Sequence, residues 1–153
     1  MPLSFTESVV EEAALAWLAG LGYAVAHGPE LMDAERAGGY GQVVLEDRLR
    51  QALRRLNPKV PAGALDEAFR KLARPDSPSL VGGNHAMHRL LVDGVPVECR
   101  RADGSLGGDL VRVFDFADPA GNDFLAVNQF TVVENRRERR PGWSSISSAW
   151  RMS

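Results

Sequence analysis

Apolar residues in this chain change their spacing part way along it. Behind Ser4-Phe5-Thr6-Glu7, the residues Val10, Ala14, Trp17, Leu18 and Leu21 recur at helical intervals, and Gly20 and Gly22 close the run. The spacing predicts a first helix over 6–20. Ser4 and Glu7 would open it as a capping box, each satisfying a free backbone N–H. Glycines and Pro29 then interrupt residues 23–41, where Tyr23-Ala24-Val25-Ala26 reads as a short strand and the remainder as loop. Leu45, Leu49, Ala52, Leu53 and Leu56 mark the buried stripe of a second helix ending at Asn57-Pro58, with Arg48, Arg50, Arg54 and Arg55 outside the stripe. A third helix is expected over 64–73 with Leu65, Ala68, Phe69 and Leu72 inward, and a short fourth over 84–92, ended by Asp93-Gly94.

Beyond Gly94 the period becomes two. Residues 95–100 alternate, Ala102-Asp103-Gly104-Ser105 is a turn, and residues 110–116 alternate again, which is the signature of a β-hairpin. A second turn over 118–122 precedes a third and most apolar strand over 124–133. Helices followed by an antiparallel β-meander define an α+β fold class. From Glu134 onward the composition turns first to arginine and then to serine and tryptophan.

With 153 residues, 44% hydrophobic and 25% charged, the chain has the make-up of one ordinary globular domain. A net charge of -2 provides no global attraction for nucleic acid, so any DNA contact must be local. Cys99 is the single cysteine, which rules out an intrachain disulfide and a multi-cysteine zinc site. With no signal peptide or membrane span in the sequence, a cytoplasmic location is expected.

Several groupings invite a chemical reading, each beside a plainer one. Asp109, Asp115, Asp118 and Asp123 could assemble as a magnesium cluster, but Asp118 and Asp123 sit in turns, where aspartate serves the backbone. His85 and His88, at i and i+3, could share a metal in a small hydrolase, yet a zinc site needs a further ligand. Pro75-Asp76 has the look of the Pro-Asp of magnesium nucleases, but it follows a helix and sits between prolines with no strand after it, so turn formation explains it. Asn128 and Gln129 interrupt the strongest strand, and one of them should need hydrogen-bond partners in the core. Arg136, Arg137, Arg139 and Arg140 are the densest basic run, suited to phosphates or equally to a solvated linker.

Taken in order, certain segments resemble a known family. These are Trp17-Leu18 with Gly22-Tyr23, Val44-Leu45-Glu46 running on to Arg55-Leu56-Asn57-Pro58, His88-Arg89-Leu90-Leu91 with 93–98, and above all 122–132. The chain is similar to the amino-terminal part of the R (restriction/endonuclease) subunit of type I restriction-modification enzymes. The resemblance implies the start of a RecB-like nuclease domain of the PD-(D/E)xK class, with Glu11 as the first-helix catalytic glutamate. It also implies a parent activity of ATP-dependent cleavage of double-stranded DNA, with Mg2+ and ATP as cofactors and the modification and specificity subunits as partners.

The resemblance ends abruptly. Arg139-Arg140-Pro141 is followed by Gly142 where the family has aspartate, and neither Lys59 nor Lys71 stands in a Glu-x-Lys context. No P-loop for ATP is present either. The expected organisation is therefore 1–141 as the amino-terminal part of the nuclease domain and 142–153 as a divergent tail, for which a shifted reading frame is one explanation. An incomplete PD-(D/E)xK domain would hold no cofactor itself and would be inactive alone. The other reading is a non-catalytic module that docks on DNA or on the other subunits. An apolar strand over 124–133 with an unpaired edge would pair with the tail or with a second copy, giving a homodimer.

Overall fold

A computed structural model describes residues 6–36, 38–74, 79–100, 104–134, 137–139 and 145–147. They form an α+β structure in two units: residues 1–45 with 123–153, and between them in sequence residues 46–122.

The first unit opens with α1 (Glu7–Gly20), as the spacing predicts. Ser4 lies outside the described residues, and the helix starts instead from Thr6, whose hydroxyl meets that of Ser8 rather than a backbone N–H. Strand β1 (Ala24–His27) follows, and then helix α2 (Gly28–Glu35), where the sequence suggested loop. Gly28-Pro29, read as a breaker, is the helix start: proline at the first helical positions gives up an N–H that has no partner there anyway. The chain then makes a 3-10 turn (Gly39–Gly41).

In the inserted unit, α3 (Glu46–Leu56) buries Leu49 and Leu53. Its acidic first turn and basic last turn complement the helix dipole. Helix α4 (Ala62–Ala73) buries Ala64, Leu65, Ala68, Phe69 and Leu72. Helix α5 (Leu80–Asp93) is a turn longer than the spacing suggests because Ser79 caps it, accepting from the Gly82 N–H at 3.1 Å. Strands β2 (Val95–Arg100) and β3 (Leu106–Val111) form the expected antiparallel hairpin, Val95 opposite Val111.

The second hairpin strand lies four residues earlier than its alternation suggests. After Val111 the chain leaves the ladder because Asn57 captures it. The Asn57 side chain donates to the Leu53 and Arg112 carbonyls at 2.8 Å each and accepts the Arg112 N–H at 2.7 Å. Residues 112–122 therefore run as a loop with a short 3-10 turn (Pro119–Gly121), although Val113 stays buried.

Back in the first unit, the apolar segment splits into β4 (Leu125–Asn128) and β5 (Val132–Glu134). Two three-residue strands follow, β6 (Arg137–Arg139) and β7 (Ser145–Ser147). The meander expected from the sequence is not what forms. Strand β4 is the centre of a sheet of order β1-β4-β7, parallel to β1 and antiparallel to β7, while β5 and β6 make a separate hairpin. Burial on both faces of β4 accounts for its continuous apolar run. Of the two partners expected for the apolar strand, the tail is the one found: β7 pairs with β4, which among the described residues is thereby flanked on both sides. Leu31, Leu45, Leu125, Val127, Phe130 and Val132 form the core here.

Arg36 closes that core. Its guanidinium is 1% exposed, donates to the carbonyls of Gln42 and Thr131 at 2.9 Å, and lies 4.2 Å from the Phe130 ring centre. The carbonyls and the ring face make its burial tolerable. No helix among the described residues is long and apolar enough to cross a membrane.

Replacing Asn57 with alanine strands the Arg112 N–H and carbonyl together. We expect Asn57→Ala to lower stability by about 2–4 kcal/mol in urea denaturation. A loss under about 0.5 kcal/mol would mean that water replaces the side chain.

Candidate functional site

Because β1 and β4 run parallel, both end on the same side, with His27 opposite Asn128 in the register. In parallel sheets such strand ends are where ligands are commonly met. The two side chains bond there at 2.8 Å; the Asn128 Oδ1 only accepts, so the imidazole Nδ1 carries the hydrogen.

One residue further, Gln129 adopts φ 54°, the one non-glycine residue among those described with a left-handed backbone. For a glutamine this conformation costs of order 1–3 kcal/mol. It turns the chain out of β4 and lets the Gln129 carbonyl press on α2: a β-carbon at Gly28 would lie 2.3 Å from that oxygen. Glycine is the residue that fits. The same turn aims the Gln129 side chain at α1, where its Nε2 sits 3.3 and 3.4 Å from the two carboxylate oxygens of half-buried Glu11.

Glu11, the sequence-derived catalytic candidate, therefore stands at the carboxyl end of the parallel pair. Asn128 behaves as an anchor, whereas Gln129 is exposed. Sequence reasoning passed over His27, and its one signal was a histidine between a short strand and Gly-Pro.

The other candidates are scattered. Arg136 and Arg140 lie outside the described residues. Arg137 and Arg139 belong to β6, paired in register with Glu134 and Val132 respectively. On α3, Arg50 is engaged by Asp66 and the Phe69 ring, leaving Arg54 and Arg55 on the exposed surface. His85 and His88 are exposed on α5, and Pro75-Asp76 lies outside the described residues. Lys71 bridges Glu67 at 2.7 Å and the Pro96 carbonyl at 2.6 Å, tying α4 to β2. Lys59 is exposed.

Of the aspartates, Asp109 and Asp115 serve the backbone, Asp109 accepting the Leu110 N–H at 2.8 Å. Asp115 accepts the N–H groups of Ala117 and Asp118 at 3.0 and 3.1 Å and meets Arg112 at 3.2 Å. Asn122 brackets the same loop, accepting the Asp115 N–H and donating to its carbonyl. The Asp118 N–H, then that of Ala117 and the Arg112 charge hold the Asp115 carboxyl below its usual range. Among the described residues, no three His, Cys, Asp or Glu side chains gather as a cation site.

With this geometry in view, the family can be stated. The profile of the type I restriction enzyme R protein N terminus matches residues 4–141, and the chain belongs to that family. It is 33% identical over 137 residues to the type I restriction enzyme HindI endonuclease subunit of Haemophilus influenzae, a match covering 88% of this chain and 13% of the relative. It is 31% identical over 137 residues to a Methanocaldococcus jannaschii protein assigned as the MjaIXP endonuclease subunit, covering 87% and 13%. The chain thus spans about an eighth of the length of these relatives. No solved structure matches it.

The lowered Asp115 pKa gives a direction for pH. A carboxyl that titrates lower when folded contributes stability above its unfolded pKa, and this is lost as pH falls through the folded one. On acidification the 115–122 loop should loosen, seen as faster exchange of the Ala117 and Asp118 amides, and Asp115→Asn should remove the pH dependence. Equal acid sensitivity in that variant would place the cause elsewhere.

Proposed function

We propose that this chain is the opening scaffold of a DNA-cleaving domain of the PD-(D/E)xK class, and that Glu11 is its contribution to the catalytic centre. The observation carrying this reading is the placement of Glu11, in a chain of this family, at the carboxyl end of the parallel pair β1–β4. Family members of this description act as endonuclease subunits, and double-stranded DNA would be the substrate, reached through modification and specificity subunits.

The class works with Mg2+, which would hold the scissile phosphate and stabilise charge developing on it. Glu11 carboxylate and Gln129 carboxamide are oxygen-bearing groups of the kind a hard cation takes. They fit one edge of such a site. This chain's own part is to hold that edge still: α1 presents the glutamate, the left-handed turn presents the glutamine, and Arg36 fixes the segment behind them. Gly142 stands where the motif of the class has its aspartate. ATP would serve translocation by parts of the family enzyme outside this chain.

The purified chain is therefore expected to leave supercoiled plasmid intact with Mg2+ or Mn2+. Metal-dependent nicking that disappears in Glu11→Gln would overturn the expectation of inactivity while supporting the glutamate's role.

The second reading, a non-catalytic module docking on DNA, draws on Arg54 and Arg55 exposed together at the end of α3. Phosphate contacts through them would give a gel shift at low salt that fades at high salt and weakens in Arg54→Ala/Arg55→Ala. A shift indifferent to both changes would dismiss this surface.

A further inference from the structure

The left-handed turn at Gln129 takes the chain out of β4, but that role in the fold does not call for a glutamine. A glycine or asparagine would take that backbone with less strain. Its side-chain contact with Glu11 is a weak tie: 3.3 and 3.4 Å is long for an N–H donating to an oxygen, and Gln129 is exposed. What the turn does achieve is to set a carboxamide squarely before both oxygens of one carboxylate.

We propose that Gln129 is a second protein ligand for a hard divalent cation, its carboxamide oxygen forming with Glu11 one edge of the coordination shell. The inference rests on the reading above that Glu11 serves a cation. A half-turn about the last side-chain torsion exchanges Nε2 and Oε1, so the same rotamer offers either a donor or an acceptor. Facing a bare carboxylate, the amide hydrogens turn inward, as found here. With a cation between the two groups the oxygen takes their place.

The spacing suits this. Adjacent ligands on an octahedral cation lie about 3.0 Å apart for Mg2+ and about 3.4 Å for Ca2+, from metal–oxygen distances near 2.1 and 2.4 Å. The 3.3 and 3.4 Å separations from the carboxylate oxygens fall at the upper end of that range. Water and phosphate oxygens would fill the other positions, which is how magnesium is usually held beside nucleic acid substrates.

Mn2+ is the probe, titrated into the whole chain and followed by electron paramagnetic resonance and by broadening of the Gln129 side-chain amide signal. Wild type should bind in the millimolar range or tighter, and Glu11→Gln should abolish binding. Gln129→Leu should weaken it about tenfold. Gln129→Glu should tighten it and should recover, on adding Mn2+, the melting temperature lost to repulsion from Glu11. Gln129→Gly should melt no lower than wild type yet bind Mn2+ as poorly as Gln129→Leu. That separates a ligand from a structural tie.

If Gln129→Leu and Gln129→Glu bind like wild type while Glu11→Gln abolishes binding, the glutamine inference falls and the Glu11 reading stands. A lower-melting Gln129→Gly with unaltered Mn2+ binding overturns it in the same way. Should wild type bind no Mn2+, or Glu11→Gln bind it unchanged, both fall together.

Discussion

Parallel pairing of Ala24–His27 with Leu125–Asn128 is the contact on which the first unit depends. The paired residues His27 and Asn128 are 101 positions apart. Closing so long a loop is less costly than its length suggests, since it adds only about 2 kcal/mol over closing a loop one tenth as long. Burying one leucine or valine stabilises by about 1.5–3 kcal/mol, so Leu125 and Val127 at 1–2% exposure offset that increment. Parallel strands also demand a crossover of a dozen residues or more. The inserted unit falls within that crossover in sequence.

Much of the helical content was legible because each helix carries its own periodic stripe. Leu49 and Leu53 in α3, and Leu65, Ala68, Phe69 and Leu72 in α4, are the residues the spacing turned inward. The hairpin β2–β3 was legible for a similar local reason. What escaped was decided at a distance. Alternation through residues 110–116 looks like strand, but whether the ladder continues past Val111 depends on Asn57, 55 positions away. Partner choice for β4 is likewise invisible locally, because a buried central strand and a meander strand share the same apolar run.

The site was legible in part and for a different reason. Glu11 came from resemblance, and nothing in the pattern of α1 distinguishes it from its neighbours Glu7 and Glu12. Asn128 and Gln129 were conspicuous as polar residues in an apolar run. Their division of labour was not legible, since one positive φ sends Asn128 to His27 and Gln129 to Glu11. In the inserted unit the conspicuous charges are architectural: Lys71 fastens a helix to a strand, and Asp115 folds a loop upon itself.

The close approach of the Gln129 carbonyl to Gly28 has a bearing on how this lineage can diverge. A side chain at position 28 cannot be accommodated by its neighbours shifting, because the obstacle is main chain and not a flexible tip. A larger residue at the α2 start therefore requires the strand end to relax. Relaxing it moves the carboxamide away from α1. The first residue of α2 and the reach of the carboxamide toward Glu11 are thus tied together through one main-chain contact.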